Sequence, residues 1–128
     1  MSASPLTLAI LPGRFAVCRL EPDAPITEFS SETRFFSVTR TDEELSVVCP
    51  ENQIPANAKR EMGWRCLKVQ GPLHFSCTGV LASLSGPLAD AAISIFSAST
   101  YDTDYLFVKE ETLEKAAAVL SQHGHVIQ

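Results

Sequence analysis

The sequence predicts an α+β fold: a tandem duplication whose helix-poor first repeat of strands precedes a complete β-α-β-β-α-β repeat. Three observations carry this. Short runs rich in β-branched and aromatic residues recur along the whole chain between turn residues. Apolar stripes of helical period occur only in the second half. The two halves also echo each other when displaced by sixty positions, which lays FSVTRTDEELSVV over FSASTYDTDYLFV.

In chain order, TLAIL and RFAVCRL flank Pro12-Gly13 and read as a hairpin. EPDAPITEFSSETR, with two prolines, holds at most a short helix. FFSVTR and ELSVVC form a second hairpin around Thr41-Asp42-Glu43. PENQIPANAKREMG is rich in turn formers and poor in large apolar side chains, which marks a linker with room for one helical turn. WRCLKVQ alternates Leu67 and Val69 against Lys68 and Gln70, a half-buried strand ended by Gly71-Pro72. Val80, Leu81, Leu84, Leu88 and Ala92 then form a helical stripe, with a kink or break expected near Ser85–Pro87. ISIFSAS and DYLFVK are strands. EETLEKAAAVLSQHG presents Leu113, Ala116, Ala117 and Leu120 on one helical face, with Glu111 and Lys115 spaced as an i,i+4 pair. Gly124 stops that helix and HVIQ returns as a short last strand. The expected domains are a degenerate N-terminal repeat over 1–50, a linker over 51–63 and a complete repeat over 64–128, with antiparallel sheets of the ferredoxin-like plan.

Composition narrows the function. The 128 residues can bury a real core, and 45% hydrophobic with 20% charged residues is ordinary for a globular protein. A net charge of −5 and no long Lys/Arg run argue against a nucleic-acid partner. No apolar run reaches the roughly 20 residues that span a bilayer, and MSASPLTLAIL lacks a basic secretory leader. A cytoplasmic protein is expected. Cys18, Cys49, Cys66 and Cys77 show no C-x-x-C spacing, and His74, His123 and His125 add no metal-binding pattern. No metal or cofactor is expected, and His123 and His125 read as exposed loop groups beside Gly124. No Walker loop, G-x-S-x-G elbow or H-E-x-x-H motif is present, and the pair His74 and Cys77 lacks a signalled orienting group. Catalysis is therefore not expected. Trp64 reads as a packing anchor.

The segments GPLHFSCTGVLASL, ISIFSASTYDTDYLFV and LEKAAAVL resemble the strand–loop–helix, strand pair and final helix of an ACT regulatory domain. PGRFAVCRL and FFSVTRTDEELSVVCPE resemble the amino-terminal repeat of small stand-alone proteins with two ACT-like repeats. These are related to the regulatory domains of aspartate kinases and to the arginine sensors of the eukaryotic TOR pathway. The resemblance implies a non-enzymatic sensor that holds a free amino acid at the interface between repeats, with binding favouring one arrangement of the repeats or of a homodimer, which a partner protein reads. The alternative of a different class is a pure interaction module of the same fold with no ligand.

An amino acid needs donors for its carboxylate and acceptors for its ammonium. Phe75, Ser76, Cys77, Thr78, Gly79 and Val80 form the loop entering the first helix, where backbone N–H groups and the helix dipole favour an anion. Gly79 allows close approach, and Thr78 or Ser76 is placed to cap the helix. The family motif puts a ligand-contacting acid at Asp104, with Thr100, Tyr101 and Thr103 at neighbouring contact positions; Asp102 reads as an Asx turn. Cys77 stands where related sensors carry an acid or another polar group, so cationic and neutral amino acids both stay open.

Overall fold

The computed structural model describes residues 5–26, 28–71, 73 and 78–128. Among them lie eight strands and two α-helices: β1 (Thr7–Ile10), β2 (Phe15–Leu20), β3 (Ser37–Arg40), β4 (Leu45–Pro50), β5 (Lys59–Val69), α1 (Val80–Asp90), β6 (Ile95–Ser99), β7 (Asp104–Lys109), α2 (Leu113–Gln122) and β8 (Val126–Ile127). Single 3-10 turns occupy Glu51–Gln53 and Glu110–Thr112. The fold is α+β of the ferredoxin-like kind, with β5-α1-β6-β7-α2-β8 as the expected β-α-β-β-α-β order.

The chain divides into two compact units, residues 13–64 and residues 1–12 together with 65–128. This differs from the boundaries expected at 1–50, 51–63 and 64–128. The first twelve residues belong with the second half because Leu8 is fully buried in its core, beside Leu67 and Val69. The expected linker is also shorter, since β5 already begins at Lys59.

The expected hairpin of TLAIL with RFAVCRL does not form. β1 pairs antiparallel with β5, Leu8 opposite Val69 and Ile10 opposite Leu67, and parallel with β8. β2 instead pairs with β4 and with the first part of β5. Gly13 adopts φ 83°, a left-handed conformation that glycine takes without strain. The eleven-residue β5 is long enough to serve both partners. The β1–β8 pairing is parallel, whereas β1–β5, β2–β4, β2–β5, β3–β4 and β6–β7 pair antiparallel.

In the smaller unit, β3, β4 and β2 bury Ala16, Cys18, Leu45, Val47 and Cys49 together with Ala58. The segment between β2 and β3 is irregular, as its prolines dictate, and Arg40 holds it by donating to the Pro22 and Ala24 carbonyls. The β2–β5 register slips between Phe15 and Val17, a bulge at which Gly63 takes φ 85°. Glu51 closes that bulge by accepting the Gly63 N–H at 2.7 Å and the Arg14 guanidinium N–H at 3.1 Å.

In the larger unit the strand order is β6-β7-β5-β1-β8, with β7 beside β5. Leu8, Leu67, Val69, Leu106 and Val108 of the sheet pack against Leu84 and Leu88 of α1 and Ala116 and Leu120 of α2. Both helices thus cover one face, as their stripes predict. α1 continues through Pro87 without the expected break. Proline lacks the N–H that would bond the carbonyl four residues earlier, which is that of Ser83. His125 supplies a substitute at 3.2 Å from its Nε2 to the Ser83 oxygen, while its Nδ1 accepts the Leu6 N–H at 3.0 Å. Because the Leu6 amide can only donate, the proton of the neutral ring must sit on Nε2. His125 is therefore a buried cross-link between three segments, not the exposed loop group expected from its place beside Gly124.

Each helix ends in a Schellman motif, in which the second residue past the cap donates back to the third residue from the end. Ile93 donates to the Leu88 carbonyl at 2.9 Å, and His125 to the Leu120 carbonyl at 3.1 Å. The left-handed residue is Gly124 (φ 92°) after α2 but Ala92 (φ 59°) after α1. Lys115 reaches the Ala91 carbonyl at the end of α1, at 3.1 Å, and Glu111 lies in the preceding 3-10 turn.

Candidate functional site

The two hairpins can be compared residue by residue. Arg40 pairs with Leu45 across the first and Ser99 with Asp104 across the second, an offset of fifty-nine positions rather than the sixty that the sequence echo gives. Their turns close alike. The Thr41 N–H donates to the Glu44 carbonyl at 2.9 Å, and the Thr100 N–H to the Thr103 carbonyl at 2.8 Å. In both, the threonine hydroxyl also bonds within the turn.

This register shows what is unusual about Asp104. Its counterpart is Leu45, which is fully buried in the smaller unit's core. Side chains alternate along a strand, so Asp104 shares a face with Leu106 and Val108, the face that the helices cover. A carboxylate thus occupies a position whose counterpart is a core leucine. It is half-buried and accepts the Ser99 hydroxyl at 2.6 Å, a short charge-assisted bond. Ser97 and Ser99 alternate onto the same face from β6 and are exposed. The end of the hairpin therefore presents a polar notch of two serines and one carboxylate beside the apolar core.

Thr103 is 5% exposed, and its hydroxyl donates to the Val69 carbonyl at the end of β5 at 2.6 Å. The Leu73 N–H donates to the Asp102 carbonyl at 2.6 Å. The start of the connection from β5 to α1 is thereby bound to the β6–β7 turn. Thr78 and Gly79 are exposed, at the far end of that connection, and Val80 opens α1. Gly79 holds the N-cap position with φ 74°, which requires glycine more than ligand access does. The expected cap by Thr78 is absent, since no side chain bonds at that cap; Phe75, Ser76 and Cys77 lie outside the described residues. Tyr101 is 81% exposed and Thr100 is exposed. Of the expected contact residues, then, Thr100, Tyr101, Thr103 and Asp104 form one turn, and Thr78, Gly79 and Val80 the helix start. Ser99 and Gly71 escape the sequence reading. The four-residue connection 100–103 is the signal that puts Ser99 opposite Asp104.

On the opposite face of the sheet, Phe96 and Phe107 stack at 4.4 Å between ring centroids, and Phe107 is fully buried. The Tyr105 phenol is pushed up from its ordinary value by burial, then by the Cys66 thiol and the Asp102 carboxylate. Among the described residues no group of three or more His, Cys, Asp or Glu is arranged to hold a metal ion. No helix among them is long and apolar enough to cross a membrane.

Comparison with known proteins fits this geometry. The ACT domain family model matches residues 59–122, half of the chain. The chain belongs to the ACT domain family. A separate N-terminal-domain model matches residues 13–57, inside the smaller unit. A solved Agobacterium tumefaciens protein is 40% identical, with a TM-score of 0.90 over 98% of this chain and 94% of that one. The ligand-free regulatory subunit of aspartate kinase from Thermus thermophilus shares the ACT fold alone, at 11% identity and a TM-score of 0.63 over 91% of this chain and 96% of its own. Among curated proteins, the human protein CASTOR3P is 33% identical over 112 residues, 76% of this chain and 69% of that protein. The cytosolic arginine sensor for mTORC1 subunit 1 of Bos taurus is 29% identical over 102 residues, 73% of this chain. This ACT protein spans about a third of that sensor's length, 31%.

Proposed function

We propose that this protein is a non-catalytic, cytoplasmic regulatory ACT protein that binds a free amino acid. The ligand's ammonium meets Asp104, and its carboxylate meets the backbone N–H groups at the start of α1, beside Thr78, Gly79 and Val80. Thr100 and Tyr101 border the ammonium side. The observation that carries this reading is the Asp104 carboxylate, half-buried on the helix-covered face where the matching hairpin has a core leucine. A carboxylate that accepts one serine hydroxyl keeps further lone pairs with which to accept from a ligand ammonium. The bovine relative's name, a cytosolic arginine sensor, supports both the ligand class and the compartment. Binding favours one conformation, to the extent of its differential affinity, and a partner protein or a second copy of the chain reads it.

The test is thermal shift of the protein with each of the twenty amino acids, repeated in Asp104→Ala. Saturation at 100 times Kd adds about 2.7 kcal/mol. Stabilisation by one or a few amino acids that disappears in the variant supports the reading. No response to any of them favours an interaction module of the same fold without a ligand.

A further inference from the structure

The turn over 100–103 and the start of the β5–α1 connection are more tightly joined than either hairpin needs. The matching turn over 41–44 closes with the same threonine and backbone bonds, yet its fourth residue is Glu44 and not a buried threonine. The Thr103 hydroxyl is thus surplus to turn closure; it is committed to the Val69 carbonyl at 2.6 Å. Two residues on, Gly71 is tightly packed against the turn. A Cβ there would meet the Asp102 carbonyl oxygen at 3.0 Å, the Leu73 nitrogen at 3.1 Å and the Thr103 Cβ at 3.2 Å. A Cβ would press these groups apart by a few tenths of an ångström, and their close approach is what lets the Leu73 N–H reach the Asp102 carbonyl at 2.6 Å. The next residue along from this lock is Asp104.

We infer that Thr103 and Gly71 form a latch that holds the 100–103 turn, and with it the adjacent Asp104 carboxylate, against the end of β5, which makes Thr103 a positioning residue that never touches the ligand. The inference rests on the amino-acid site proposed above. Its consequence is a preorganised carboxylate: with the turn fixed to the end of β5, Asp104 meets a ligand ammonium without first being ordered, and preorganised geometry is worth affinity. Thr103 is thereby moved from the group of ligand contacts to the support beneath them.

The experiment uses the full chain with Thr103→Val, which keeps the shape and removes the hydroxyl, Thr103→Ser, which restores it, and Gly71→Ala. Leu73 amide exchange is measured by NMR without ligand, and Kd is measured for the amino acid that stabilises the wild type. Loss of one hydrogen bond corresponds to roughly a tenfold change. Thr103→Val and Gly71→Ala are expected to speed Leu73 exchange about tenfold and to weaken binding about tenfold, with exchange in the β1 core unchanged. Thr103→Ser is expected to return both to wild-type values. Wild-type Leu73 exchange in Thr103→Val and Gly71→Ala overturns the latch, and so does unchanged Kd despite faster exchange. If the wild type responds to no amino acid, the sensor reading fails, and the exchange measurement alone decides the latch.

Discussion

Replacing His125 by alanine tests the buried cross-link directly. The imidazole satisfies two backbone groups of different segments, the Leu6 N–H at 3.0 Å and the Ser83 carbonyl at 3.2 Å. Each group left unpaired costs about 1–3 kcal/mol, and since Leu6 and Ser83 are only half-buried the low end applies. Lost ring packing adds about 1 kcal/mol. His125→Ala is therefore expected to destabilise by about 3 kcal/mol, and Tm to fall by about 10 °C at this chain length. A double-mutant cycle isolates the Ser83 arm. Pro87→Ala gives α1 the missing N–H, which then bonds the Ser83 carbonyl within the helix, so His125→Ala should cost about 1 kcal/mol less in that background. Urea melts followed by circular dichroism measure all four proteins. A cost under about 0.5 kcal/mol for His125→Ala, or strict additivity in the cycle, would refute the reasoning.

Three further predictions concern stability and the site. Asp104→Leu, copying Leu45 of the matching hairpin, should stabilise the ligand-free protein by about 1 kcal/mol while abolishing any amino-acid response, readable in the same thermal shifts. Ala92→Gly should raise stability by about 1 kcal/mol because Ala92 holds a left-handed φ of 59°, and Gly124→Ala should lower it by a similar amount from φ 92°. Burial pushes the thiols of Cys49 and Cys66 from 9.0 to about 12. Above pH 9 the unfolded chain releases these protons while the folded chain keeps them, so the stabilisation is complete below about pH 9 and is lost as pH rises towards about 12. Urea midpoints across that range check the sign, and a thiol reagent should modify Cys49 and Cys66 slowly at neutral pH.

Much of the larger unit is legible in the sequence because its signals are local. Leu84 and Leu88 mark the buried stripe of α1, Ala116 and Leu120 that of α2, and Gly124 its end. The β1–β2 hairpin was misread because Pro12-Gly13 looks the same whether a chain turns back on itself or crosses to another partner. Only the buried position of Leu8 against Val69, sixty-one residues away, decides between them. Pro87 misled for a related reason: the donor that replaces its missing N–H comes from His125, far along the chain. At the site, Asp104 is legible through the family resemblance. The support beneath it does not, since Ser99, Thr103 and Gly71 act through cross-strand register and close packing, which spacing does not reveal.

The pairing of β1 with β5 bears on how such a chain arises. Ile10 lies opposite Leu67, and the Leu11 N–H reaches the Cys66 carbonyl at 2.9 Å. β1 and the last part of β5 are thus the two arms of one hairpin, and residues 13–64 leave and re-enter at its tip. The smaller unit is a guest in a single loop of its host. The same topology makes the guest removable: residues 1–12 joined to 65–128 by an Asn-Gly turn retain both arms of the host's hairpin and all of the host's core side chains.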